Sequence, residues 1–128
     1  MSLRSPLGKV LGHGSAKSGT GHWWAQRMTA IALVPLTLWF AFSILNLEDI
    51  SNYQILLAWM SQPLNGILLI LLVMTVVYHS SLGLQVVIVD SVHGAAGIAM
   101  LIFVRFASVA LFVSGVYAVV KVSFGGGQ

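Results

Sequence analysis

Long stretches without a single charge constrain this chain more than anything else in it. Residues 28–47 carry no charge, residues 50–89 carry none, and after Arg105 the next charged residue is Lys121. An α-helix rises ~1.5 Å per residue, so the first run reaches ~30 Å, the thickness of a bilayer's hydrocarbon core. Of the 128 residues, 58% are hydrophobic and 7% are charged. A soluble domain carries roughly 25% charged residues and could not cover its surface with so few. Disorder is excluded for the opposite reason, because there is far too much apolar surface. The expected fold is an all-α integral membrane protein of one domain with three transmembrane helices.

Residues 1–21 are rich in Gly and Ser, contain Pro6, and read as a flexible cytoplasmic arm. No apolar segment follows the early bases closely enough to make a cleavable secretory signal. Residues 22–124 form the membrane domain, with spans expected at about 28–47, 64–89 and 96–123, and residues 125–128 form a tail. Trp23 and Trp24 favour the headgroup level, where an apolar ring and a polar N–H are both satisfied. Pro35 should bend the first span, and Glu48 and Asp49 end it. Asn52, Gln54, Ser61, Gln62 and Pro63 break the second uncharged run, so residues 50–62 read as an interfacial connection with Tyr53 and Trp59 at the membrane surface. At ~39 Å the second span exceeds the core and must tilt or project. Residues 90–94 read as a short polar turn. In the third span Ala110, Ser114 and Ala118 make a small-residue stripe that lets another helix approach closely.

Arg4, Lys9, Lys17 and Arg27 precede the first run, and residues 48–63 contain no base. By the positive-inside rule the amino end is cytoplasmic (or in the matrix), and the carboxyl end lies opposite. The net charge of +3 is thus an orientation signal and not a nucleic-acid footprint. No internal repeat supports an inverted-repeat transporter.

The chain has no cysteine, which removes disulfides, thiolate-held iron–sulfur clusters and cysteine zinc sites. A bound redox metal would have to use His, Met or carboxylate. His79 lies deep in the second span, where an imidazole is costly unless it is paired, ligated or facing a cavity. It reads either as a histidine hydrogen-bonded to a neighbouring group, or as a haem axial ligand, or as a step in a proton relay. Gly83 one turn on, with Ser80 and Ser81, leaves a low-bulk surface suited to a flat macrocycle or to ordinary helix packing. A haem with two histidine ligands would need its second one from another chain. Asp90 follows eleven residues later, within ~20° of His79 on the helix and ~16 Å along it. It reads as a proton-donating carboxylate at the membrane surface or as a solvated turn residue. His22 and Arg27 at the same level would hold either cofactor carboxylates or lipid phosphates. Arg105 needs a partner or a snorkelling route.

Three segments carry a family resemblance over residues 22–125: His22-Trp23-Trp24-Ala25-Gln26-Arg27-Met28-Thr29-Ala30, the block from His79 through Gly83 to Asp90-Ser91-Val92-His93, and Arg105-Phe106. The chain resembles the small hydrophobic membrane-anchor subunit of succinate dehydrogenase (complex II), alphaproteobacterial type. The His-Arg-Thr-Gly signature of the larger anchor subunit is absent. The resemblance implies a heteromeric helical bundle in the bacterial inner membrane that docks a flavoprotein and an iron–sulfur subunit. FAD and the iron–sulfur clusters would then lie in those partners only, and haem b would be shared with the larger cytochrome b anchor subunit. It implies His79 as one axial ligand to the haem iron, and Arg27 and His22 near the haem propionates. The family's Asp-Tyr pair at the ubiquinone pocket maps onto Asp90-Ser91, where the aspartate matches and the tyrosine does not. The implied function is electron transfer from succinate to ubiquinone, with this subunit not catalytic on its own. The alternatives are a haem-free structural anchor and a small proton-coupled membrane protein.

Overall fold

The computed structural model describes residues 16–125, and among them there are four helices and no strand. They are α1 (Ala16–Leu45), α2 (Tyr53–Met60), α3 (Pro63–Ser91) and α4 (Gly94–Gly125). Three of them, over Gly19–Leu45, Pro63–Ser91 and Gly94–Gly125, are long and apolar enough to cross a membrane. The protein is an all-α, multi-pass membrane protein.

Each long helix begins before its expected span, and α3 and α4 also end beyond theirs, whereas α1 stops at Leu45, two residues short. α1 begins at Ala16, so residues 16–21, expected in the arm, are helical, and the rest of that arm lies outside the described residues. Gly19 and Gly21 stand in open space with nothing near a missing Cβ, and two glycines alone do not stop a helix whose next turns are strongly apolar. The helix continues through Pro35. The turn expected at residues 90–94 is shorter, because Asp90 and Ser91 complete α3 and only Val92 and His93 separate it from α4. Gly94 makes this reversal possible, since its φ of +74° is a left-handed conformation that a side chain would strain. At the other end Gly125 still belongs to α4, and residues 126–128 of the expected tail lie outside the described residues.

The connection at residues 50–62 contains a helix of its own. Asn52 caps α2, its side-chain oxygen accepting a hydrogen bond from the Gln54 amide. Carbonyls in the last turn of α2 have no intrahelical partner and are met by side chains from the long helices. Asn65 Nδ2 donates to the Trp59 carbonyl at 2.8 Å, and Ser123 Oγ donates to that of Met60 at 3.0 Å. Trp59 also stacks on Trp39 of α1, with 5.9 Å between ring centroids. In the loop before α2, the Ser51 hydroxyl and amide both donate to Asp49. These bonds hold the Asp49 carboxyl below its usual range.

α3 lies between α1 and α4, packing on both, while α1 and α4 make no packing contact. The approach of α4 to α3 is set at Gly115. A Cβ there would sit 2.7 Å from Val73 Cγ1, closer than van der Waals contact permits. The stripe of Ala110, Ser114 and Ala118 is exposed instead and is not used within this chain. Three helices in an open layer enclose little. The buried apolar residues are Leu69, Leu82, Ile88 and Val119, whereas Phe42 is 70% exposed and Phe106 73%. In water such a surface would be untenable, so it must meet lipid or other helices. Gly115→Val should force α3 and α4 apart, at a cost of about 1–3 kcal/mol as overpacking. A lowered thermal midpoint of the purified protein is expected, and an unchanged midpoint would contradict the close approach.

Candidate functional site

The contact between α1 and α3 is built around His79. Thr29, one turn beyond Ala25 on α1, is 2.7 Å from the Ala25 carbonyl and 3.0 Å from that of Gln26. A threonine inside a helix habitually gives its one hydroxyl proton to such a carbonyl. Its oxygen, 2.8 Å from His79 Nδ1, is then the acceptor, and Nδ1–H donates. A neutral imidazole carries one N–H, so Nε2 keeps its lone pair. Facing Nε2 at 3.4 Å is the Gln26 side-chain nitrogen, which donates over a distance longer than the usual 2.9–3.0 Å for such bonds. The other end of that amide is unsatisfied: Gln26 Oε1 is buried without a hydrogen-bond partner. An orphaned buried oxygen of this kind costs roughly 1–3 kcal/mol.

Gly83 is next to this pair, and the side-chain atom nearest its missing Cβ is Gln26 Nε2 at 3.6 Å. The low-bulk surface expected beside His79 is therefore covered by one flexible amide. Along the same face of α3, Val86 and Asp90 are exposed, α1 leaving them uncovered. Asp90 and Ser91 stand exposed in the last turn of α3, with no hydrogen bond or ion pair to a described residue.

Of the remaining expected site residues, His22 and Arg27 are separated. Arg27 sits roughly 100° around α1 from Gln26, exposed, with its guanidinium 4.9 Å from the Trp23 ring centroid. His22 lines a groove of about 690 Å³ floored by α3 and walled by α1 and α4. Arg105 and Ser108 line the α4 side, and Tyr78, Ser81 and Gln85 lie on the floor. On α3, Ser81 and Gln85 are roughly 160° and 120° from His79, so the groove opens away from the imidazole. Thus the chain brings His79 together with Thr29 and Gln26, and it places His22 and Arg105 on opposite walls of one groove. It leaves Arg27, Asp90 and Ser91 apart. Sequence reasoning gave Gln26 and Thr29 no role, although two polar residues three apart at the mouth of an apolar run were the available signal.

Comparison with known proteins decides the family. The model of the succinate dehydrogenase/fumarate reductase transmembrane subunit matches residues 1–112. A succinate dehydrogenase hydrophobic membrane anchor subunit of Rickettsia bellii (strain RML369-C) is 42% identical over 88 residues, 69% of this chain and 70% of the relative. The chain belongs to this family. The protein of the same name from Paracoccus denitrificans is 32% identical over 125 residues, 98% of this chain and 96% of its own. A succinate dehydrogenase membrane anchor subunit of Reclinomonas americana is 30% identical over 88 residues, 67% and 73% of the two chains. No solved structure matches. As a succinate dehydrogenase membrane anchor, the chain works as part of an enzyme and is not catalytic by itself.

Membership makes haem a question for the residues present. No group of three or more His, Cys, Asp or Glu gathers among the described residues. A haem shared between chains asks for one imidazole with a free lone pair and a flat space beside it. His79 offers Nε2, Gly83 offers the space, and the amide now covering both has its oxygen unpartnered. The donor set fits.

Proposed function

We propose that this chain is the small membrane anchor of a bacterial succinate:ubiquinone oxidoreductase, with its amino end in the cytoplasm. It lies in the inner membrane beside a larger cytochrome b subunit and docks iron–sulfur and flavoprotein subunits at its cytoplasmic face. FAD and iron–sulfur clusters belong to those partners. The observation that carries the reading is His79, half-buried inside an apolar helix, bonded to Thr29 at Nδ1 and met at Nε2 only by the long 3.4 Å contact of the Gln26 amide. His79 is the residue of this chain that would hold haem b. When bound there, haem b supplies a one-electron carrier within the bilayer. The chain's own residues position and orient. α1 and α3 exclude lipid from the ligand, and the Gln26 amide can swing off Nε2 because its oxygen has no bond to lose. Arg27 adds positive charge and His22 a ring N–H near the cytoplasmic end of α1, where propionates would meet them. Expected spectra follow directly. The complex carrying His79→Ala should lose its low-spin, six-coordinate haem b absorption while remaining in the membrane, because insertion depends on the apolar runs. An unchanged haem spectrum would rule out the ligand role.

Asp90 and Ser91 form this chain's edge of the ubiquinone pocket. They end α3, with Asp90 on the His79 face, and neither side chain has a partner among the described residues, so both can meet a partner subunit and a headgroup. A serine reaches less far than a tyrosine, so the bond to the quinone passes through a bridging water or a partner side chain. The Asp90 carboxylate holds that water and hands on protons during reduction. Asp90→Asn should lower succinate-to-ubiquinone turnover several-fold while succinate oxidation with an artificial acceptor and haem content stay normal. Equal loss with both acceptors would indicate damaged docking instead.

The proposed orientation has a direct test. His93 and Glu48 are exposed at opposite ends of α3, and a chain without cysteine is ready for labelling. In intact cells an impermeant thiol reagent should modify the Glu48→Cys variant and spare His93→Cys. The reverse pattern would invert the topology. A second reading, a haem-free structural anchor, is favoured by the fact that both His79 nitrogens already have partners on α1. The spectrum of the His79→Ala complex beside its parent separates the two.

A further inference from the structure

We propose that Thr29 is the positioning residue of the haem ligand, fixing the tautomer and the ring plane of His79. The inference rests on the reading of His79 as an axial ligand and adds which atom sets it. Thr29 Oγ1 stands between the carbonyls of its own helix, Ala25 at 2.7 Å and Gln26 at 3.0 Å, and His79 Nδ1 at 2.8 Å. The hydroxyl proton goes to the carbonyls, so the oxygen has only lone pairs for the ring. Nδ1 must then carry the imidazole proton, and Nε2 is left as the coordinating nitrogen. Metal-bound histidines commonly have such a partner on the second nitrogen, and it raises the basicity of the ligand.

The two contacts to the ring are unequal, and the inequality assigns separate tasks to their owners. The Thr29 bond is short, and its oxygen is fixed by a β-branched side chain tied to its own helix. Gln26 reaches the ring at 3.4 Å on a long flexible stem with its oxygen unsatisfied. Thr29 is therefore the permanent partner, and Gln26 is the cover that gives way. A more basic nitrogen favours ferric over ferrous iron, so the Thr29 bond holds the haem potential down. It also holds the imidazole plane against rotation about its axis.

The test uses the whole purified complex, with haem measured per flavin. Thr29→Val keeps the shape and removes the acceptor, and Thr29→Ala removes it without a branched side chain. Thr29→Ser keeps the hydroxyl. The valine and alanine variants should both raise the haem midpoint potential and shift the low-field EPR signal, as the ring plane relaxes. The serine variant should restore the parent values. Haem with unchanged potential and EPR signal in the valine or alanine complex would overturn the role of Thr29, as would a serine variant that behaves like alanine. His79→Ala is the separate arm. If it keeps the parent's six-coordinate spectrum, the ligand reading itself fails. If it loses the haem while Thr29→Val changes nothing, only the present inference fails.

Discussion

An imidazole inside an apolar helix has to be answered from a neighbouring helix, and the bond between Thr29 and His79 is that answer here. Hydrocarbon offers no water to take the place of a missing partner, so a polar pair of this kind fixes which face of α3 turns toward α1. Once that face is set, the others follow. Ser81 and Gln85 turn to the opposite side and bond to each other at 3.1 Å, on the floor of the groove between α1 and α4. Gly83 turns to Gln26, and Asp90 comes out on the His79 face beyond the reach of α1. The hydrophobic effect cannot supply this specificity, because lipid tails are as apolar as the side chains they touch.

The same arrangement explains why the chain functions only in company. α1 and α4 flank α3 without meeting, so the layer has no enclosed core. Its small-residue stripe on α4 faces outward, its glycine contact with α3 is already used, and the haem we propose would need a second ligand from another chain. A membrane anchor of succinate dehydrogenase built in this way leaves most of its apolar surface to lipid and partner subunits. The residues that matter are then divided between an inner face that closes within the chain and an outer face that closes against partners.

The three spans were legible because uncharged length reports directly on bilayer thickness. Their ends were less so: helix geometry does not stop at the membrane surface, and Gly19 and Gly21, which look like a linker, are tolerated inside α1. α2 was hidden in a connection full of polar residues, although Asn52 is the cap that starts it. His79 stood out as an ionisable group in an apolar run. Thr29 and Gln26 did not, since a hydroxyl or an amide near a helix end is ordinary, and only packing shows that both reach the same ring. The stripe of Ala110, Ser114 and Ala118 is exposed and takes no part in the packing of α4 on α3. Gly115, one residue from Ser114, makes the close approach to α3, and a spacing of four cannot say which helix will use it.

The most direct measurement is a structure of the assembled complex determined in its membrane or in nanodiscs. The account predicts a haem iron on His79 Nε2, Thr29 still within hydrogen-bond distance of Nδ1, and the Gln26 amide turned away from the ring. A map in which Gln26 still covers Nε2 and the iron takes its ligands from other residues would contradict it.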